Sequence, residues 1–189
     1  MANRADNSKA WPNAFNIFKP ARVLQYEKLK INISIKISYK IPYKIVPGST
    51  IAVVGLGGVG LCALLGGVVA GAGRIIAVDI ASDKLGLARQ LGATDTFNAT
   101  DPNCTEKIIE ETKGGVEYAF EVAGVVEAMQ TAYAITRRGG TTVTSGLSQH
   151  QHTFEIPHSQ LVVDERTIKG SYMGSCVVRS DVPKFINLY

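Results

Sequence analysis

Between positions 51 and 73 the chain reads IAVVGLGGVGLCALLGGVVAGAG, and no other stretch restricts its possible folds so tightly. Gly55, Gly57 and Gly60 stand in G-x-G-x-x-G spacing directly after the apolar run 51–54. A second apolar run, 75–78, is closed by Asp79, 19 positions past Gly60. Strand, glycine turn, helix, strand and acid, in that order, are what a dinucleotide site requires. The first glycine permits a tight turn, the second lets backbone approach a pyrophosphate, and the third lets helix and strand pack closely. The helix N-terminus adds unpaired N–H groups and a partial positive charge. Two other readings compete. One is a glycine-rich turn with no ligand. The other is a membrane span, since these 23 residues carry no charge and could cross a bilayer. Eight of the 23 are glycine, however, which is poor helix material. A buried strand followed by a buried helix face fits better.

The same texture continues to the far end. After the turn Pro47-Gly48-Ser49, strands are expected at 50–54, 74–80, 94–97, 116–122, 141–145 and 167–173. Helices are expected at 58–72, 84–91, 105–112 and 125–136, with another starting at 181–189. Gly66 and Gly67 weaken the first helix. Ser82 reads as the N-cap of the second and Gly92 as its C′ residue. Gly114-Gly115 and Gly139-Gly140 punctuate later segments, and 149–154 reads as polar loop. Alternating strands and helices imply right-handed crossovers and a parallel sheet. The fold class is therefore α/β, a doubly wound parallel sheet of Rossmann type. Its six strands should run in the order 3-2-1-4-5-6, with the ligand crevice at the C-terminal ends of strands one and four. A hydrophobic content of 46% against 19% charged residues is enough for a sizeable core.

The first 45 residues are different material. Positions 1–19 are polar without a period. Ile31, Ile33, Ile35, Ile37, Tyr39 and Ile41 then alternate with polar residues, the period of a half-buried strand or hairpin arm. Lys28, Lys30, Lys36, Lys40 and Lys44 make this stretch basic, but the net charge is only +4. A solvated strand face accounts for them better than nucleic acid or an anionic surface. Cys62, Cys104 and Cys176 form neither a disulfide framework nor a zinc ribbon, as expected of a reducing compartment. No signal-peptide core opens the chain, so a cytoplasmic location is expected. The expected division is an extension over 1–45 and a dinucleotide-binding domain over 46–189.

Residues 46–189 resemble the coenzyme domain of the zinc-dependent, medium-chain alcohol dehydrogenases. The matching text is VPGSTIAVVGLGGVG, IIAVDIASDKLGLARQLGATD, GGVEYAFEVAG, RRGGTTVTSGL and ERTIKGSYMGS, in order and without a large gap. The resemblance implies hydride transfer between an alcohol or aldehyde and a nicotinamide, with zinc polarising the oxygen. It implies that Gly55, Gly57, Gly58, Val59 and Gly60 line the pyrophosphate. Asp79 would bind the adenosine ribose, with Lys84 as a second contact. Val122 and Ala123 would border the ribose and nicotinamide. Ser145, Gly146 and Leu147 would offer backbone groups to the carboxamide, and Ser171 and Met173 would lie against the nicotinamide end. A carboxylate at Asp79 suits the free 2′-hydroxyl of NAD and repels the 2′-phosphate of NADP. Asp79→Ala should then weaken NAD several-fold and leave NADP nearly unchanged. The edge strand 167–173 would pair with its twin in a homodimer.

Zinc is the part the sequence does not supply. A catalytic site usually takes three protein ligands and keeps one position open. The family draws them from a domain preceding the coenzyme domain, yet no Cys precedes Cys62 and no His precedes His150. The chain thus reads as a coenzyme domain cut at both ends, joined to a foreign N-terminal segment. His150 and His152 read as surface loop, and Cys62 as packed core. No catalytic or metal-ligating residue is assigned, and the chain alone is expected to be inactive or nearly so. The alternative is a non-catalytic NAD-binding or regulatory module.

Overall fold

The computed structural model describes residues 45–172 and positions 177, 179 and 180. The alternating lysine-rich stretch up to residue 44, the segment 181–189, Met173 and Cys176 lie outside the described residues. Six strands form one sheet: Thr50–Val54 (β1), Arg74–Asp79 (β2), Asp95–Asn98 (β3), Val116–Glu121 (β4), Thr136–Thr144 (β5) and Thr167–Gly170 (β6). Their order is β3-β2-β1-β4-β5-β6 and every neighbouring pair is parallel. The helices are Gly58–Val69 (α1), Ser82–Gln90 (α2), Cys104–Glu111 (α3), Val126–Ala134 (α4) and His158–Val163 (α5). This is the doubly wound sheet that the alternation of elements implies.

The continuous apolar runs are explained by burial on both faces of the sheet. Ile51, Val53, Ile75, Ala77 and Phe120 point to one side and pack with Ala63 and Leu64 of α1 and Ala88 of α2. Ala52, Val54, Ile76, Val78 and Ala119 point to the other and pack with Ile108 of α3 and Ala128 and Ala132 of α4. Ile45, just before the expected domain boundary, belongs to the first cluster. Gly67 gives α1 its close approach. A Cβ there would sit 2.2 Å from the Ile51 Cδ1 atom. The glycines that lower helix propensity in α1 therefore let it lie directly on β1, and tertiary packing overrides the local cost.

Most boundaries shift by a residue or two from the sequence reading, and the larger differences have physical causes. Helix α1 stops at Val69 instead of 72, and Gly71 takes φ +78 in the turn beyond. Ser82 is the first helical residue rather than the cap. The cap position is Ala81, whose N–H is held by Asp79 Oδ1 at 2.9 Å. Strand β5 begins at Thr136, inside the helix expected at 125–136. Thr136 pairs with Val116 and pairing resumes at Tyr118 with Thr141, so residues 137–140 bulge out. The buried Thr136 hydroxyl donates to the Ala132 carbonyl at 2.7 Å and lies 2.7 Å from Thr142 Oγ1, ending the helix and joining the two limbs of the bulge. Finally, α5 forms after Pro157 where no helix was read, and β6 ends at Gly170 rather than 173.

Candidate functional site

Helix α1 follows β1 onto one face of the sheet, and α4 follows β4 onto the other. The C-terminal ends of β1 and β4, adjacent through the Val54–Glu121 pair, therefore part. A cleft of about 440 Å³ opens there, at the switch point of the strand order. Its floor is Val54, Gly55, Leu56 and Gly57. Asp79, Ile80 and Lys84 line one side, and Val122, Ala123 and Val125 the other.

The three glycines are needed for different physical reasons. Gly55 has φ +97, in the left-handed region, and a Cβ there would lie 2.8 Å from the Ala123 Cβ atom. Only glycine makes that turn without strain. At Gly60 a Cβ would stand 1.8 Å from the Gly55 carbonyl oxygen, so α1 could not start so close to the turn. Gly57 is the opposite case: a Cβ would meet nothing within 4 Å. It has ordinary extended backbone, φ −69 and ψ −172, and no side chain caps α1. Gly57 thus leaves open space over the uncapped N–H groups of a helix start, the arrangement that fits a diphosphate. Gly58 and Val59 belong to that first turn, with the Val59 side chain half exposed.

Asp79 is only 7% exposed. Its Oδ2 accepts the Leu56 N–H at 2.6 Å and its Oδ1 accepts the Ala81 N–H at 2.9 Å. Lys84 Nζ stands 3.8 Å from Oδ1. The carboxylate thus ties the glycine turn to the tip of β2. A carboxylate has about four acceptor directions, so it keeps capacity for a diol in the cleft.

On the other wall, Val122 and Ala123 line the cleft. Ser145, Gly146 and Leu147 lie beside it, against the turn that follows β4. A Cβ on Gly146 would be 2.3 Å from the Gly124 nitrogen, and one on Gly124 would be 2.9 Å from the Leu147 carbonyl oxygen. The Ser145 N–H is already given to the Glu121 carbonyl at 2.9 Å. Leu147 presents a 78% exposed side chain. Ser171 is buried and its N–H extends the β5–β6 ladder to the Thr144 carbonyl at 2.8 Å.

Sequence reasoning missed three cleft residues from α4, Glu127, Ala128 and Thr131, and Ala99 after β3. It also missed Glu121, whose position as the acid ending an otherwise apolar strand tip was the available signal. His150 and His152 are exposed in their loop. His152 borders a second hollow of about 330 Å³ with Gln151, Thr153 and Glu127. Among the described residues no three His, Cys, Asp or Glu side chains converge as metal ligands, so these residues do not fit a zinc site. Cys62 and Cys104 are buried and not joined in a disulfide, and burial pushes the Cys104 thiol above its usual range, away from the thiolate that reactive cysteines need. Among the described residues no helix is long and apolar enough to cross a membrane.

With this geometry in place, comparison with known proteins is specific. The family described as zinc-binding dehydrogenase matches residues 58–189. Alcohol dehydrogenase 6 of Rattus norvegicus is 42% identical over 153 residues, covering 77% of this chain and 40% of the relative. The benzyl alcohol dehydrogenase structure from Acinetobacter calcoaceticus superposes with a TM-score of 0.78 at 32% identity, over 90% of this chain and 47% of that one. A structure from Sinorhizobium meliloti 1021, solved bound to NADP, gives a TM-score of 0.69 at 28% identity, over 77% of this chain and 42% of that one. The chain therefore spans less than half the length of these relatives.

Proposed function

The chain belongs to the zinc-binding dehydrogenase family and corresponds to the coenzyme-binding part of its alcohol dehydrogenase-like oxidoreductases, and on that premise we propose that it binds NAD in the cleft between β1 and β4. The observation carrying the reading is the open space over Gly57, at the start of a helix with no side-chain cap. Gly55, Gly57, Gly58 and Val59 receive the diphosphate on their backbone, and Gly60 holds the helix start in place. Asp79 receives the adenosine ribose hydroxyls, with Lys84 beside it. Val122 and Ala123 flank the second ribose, and Ser145, Gly146 and Leu147 border the nicotinamide end; the family resemblance assigns Ser171 and Met173 to that same end, Met173 lying outside the described residues. The nicotinamide, when bound, supplies the hydride acceptor. This chain's own residues hold and orient it.

The whole protein's activity is hydride transfer between an alcohol or aldehyde and that coenzyme. Zinc ligands for it are not brought together among the described residues, and the reading assigns this chain, taken alone, coenzyme binding without alcohol turnover. The domain runs over 46–189, with 1–45 as an extension. A homodimer forms through the outer edge of β6, which pairs with β5 on its inner side; Val162 and Val163 of the adjacent α5 are 62% and 64% exposed.

NAD rather than NADP follows from Asp79. A 2′-phosphate would place like charge beside a nearly buried carboxylate, a cost of several kcal/mol at most and roughly tenfold or more in affinity. The hydrogen bonds to Leu56 and Ala81 also revise the simple expectation for Asp79→Ala. That change loosens the turn under both coenzymes, so it weakens both. The clean test is calorimetric titration of the unaltered chain with NAD and NADP. NAD should bind at least about tenfold more tightly. Tighter NADP, or no uptake of NAD at millimolar concentration, would sink the reading. Alcohol-dependent NADH production by the purified chain with added zinc would overturn its assignment as coenzyme binder alone.

A further inference from the structure

Glu121 is 2% exposed, and its hydrogen bonds serve two loops rather than a charge partner. Its Oε1 accepts the N–H groups of Ala123 and Gly124 at 2.8 and 2.6 Å. Its Oε2 accepts the Thr144 hydroxyl at 2.6 Å, at the last residue of β5. Its backbone carbonyl accepts the Ser145 N–H. One side chain therefore fixes the turn after β4, which forms a cleft wall, and the end of β5, from which the loop 145–147 departs. The contact is tight. A Cβ on Gly146 would come within 2.7 Å of Oε1.

Burying a carboxylate is costly unless every lone pair is used. An apolar side chain at this strand end could not accept the Ala123 and Gly124 N–H groups. Amide N–H groups at the first turn of a loop are also satisfied by water where the loop is free to move. Here they are held, and held in common with the neighbouring loop. Asp79 does the same on the opposite wall, by gripping Leu56 and Ala81. The two buried carboxylates divide the cleft: Asp79 sets the adenosine side, and Glu121 the side bounded by Val122, Ala123 and the loop 145–147.

We propose that Glu121 is a positioning residue for the nicotinamide half of the coenzyme, acting through the two loops it ties together and touching no ligand itself. This rests on the coenzyme reading above. It separates Glu121 from a general stabiliser, because only one half of the dinucleotide depends on it.

The test uses the full chain and two probes, NAD and AMP, the latter occupying the adenosine half alone. Affinity is measured by calorimetry and thermal unfolding is followed beside it. Glu121→Ala should weaken NAD roughly tenfold while AMP stays within about twofold. Glu121→Gln should restore NAD to within about threefold, because its amide oxygen still accepts both N–H groups and its amide nitrogen can donate to the Thr144 hydroxyl. Thr144→Val cuts the tie between the loops and should weaken NAD selectively, by less. Equal loss of NAD and AMP in Glu121→Ala and Thr144→Val, or unchanged NAD in both, overturns the proposal. If Glu121→Ala does not fold, the NAD-to-AMP split in Thr144→Val decides. An unaltered chain that takes up neither probe overturns the coenzyme reading itself, a result distinct from a variant failing where the parent succeeds.

Discussion

At the C-terminal ends of the strands, Asp79 and Glu121 are 7% and 2% exposed and take their hydrogen bonds from backbone N–H groups and one hydroxyl. At the N-terminal ends, Asp95, Glu111 and Glu117 are more exposed and pair with arginines. Arg74 reaches Asp95 at 2.8 Å and Glu111 at 3.2 Å, and Arg137 reaches Glu117 at 3.2 Å. Even Glu117, which also accepts the Thr50 N–H at 2.7 Å, keeps an arginine on its other oxygen. The contrast lies in what each end must hold. A carboxylate gripped by fixed amides dictates a loop's path, at a desolvation cost that only a defined shape justifies. A carboxylate paired with a long, mobile arginine staples strand ends together and tolerates water between them. One end of the sheet is therefore built for shape and the other for adhesion, and substitutions should separate the two.

The largest effect is expected at Gly60. An alanine Cβ would overlap the Gly55 carbonyl oxygen, which is backbone and cannot swing aside. Gly60→Ala should destabilise the fold by about 3 kcal/mol and abolish coenzyme uptake together with it. Urea unfolding read by circular dichroism, with NAD titration of whatever folds, checks both. A variant of unchanged stability would mean that the helix start is free to slide, and that the cleft end is not shape-defined.

Gly57→Ala should break the link between stability and binding. Its φ of −69 suits alanine and its Cβ would point into open space. Stability should stay level or rise by about 0.5 kcal/mol through the unfolded state. The methyl would occupy the place of a diphosphate, so NAD affinity should fall roughly tenfold. If NAD binds Gly57→Ala as it binds the parent, the diphosphate lies elsewhere.

Much of this end was legible in the sequence because its glycines are spaced by backbone geometry, which is local. Gly55, Gly57, Gly60 and Asp79 fall where the pattern puts them because strand, turn and helix follow one another without interruption. The strand order was legible for the same reason, since right-handed crossovers leave few arrangements. What could not be read is what depends on residues distant in sequence. The bond from Glu121 to Thr144 spans 23 positions, and no local period marks it. The wall that α4 gives the cleft depends on how that helix lies across the sheet, and its residues Ala128 and Thr131 look like any helix positions. Thr136 read as helix because the segment before it is helical. Its backbone pairing with Val116, 20 positions back in the chain, is what makes it a strand residue.

The smallest effect is expected at the adhesive end and has a definite sign with pH. Arg74 Nε and Nη2 donate to the two oxygens of Asp95, each at 2.8 Å, and this holds the Asp95 carboxyl below its usual range. A group whose value is lowered by folding stabilises the fold above its unfolded value and loses that contribution as pH falls through the folded one. The pair should therefore act fully at neutral pH and fade in the acid range below about pH 4. Both side chains are partly exposed, 29% and 23%, so screening limits the contribution to about 1 kcal/mol or less. Arg74→Ala should cost that much at neutral pH and distinctly less near pH 3, a difference read from urea midpoints at the two values. NAD affinity should not change. An equal cost at both pH values would assign Arg74's contribution to its 2.6 Å bond to the Glu111 carbonyl and its aliphatic packing. A loss of NAD affinity would mean that the two ends of the sheet are coupled, and that the division between shape and adhesion fails.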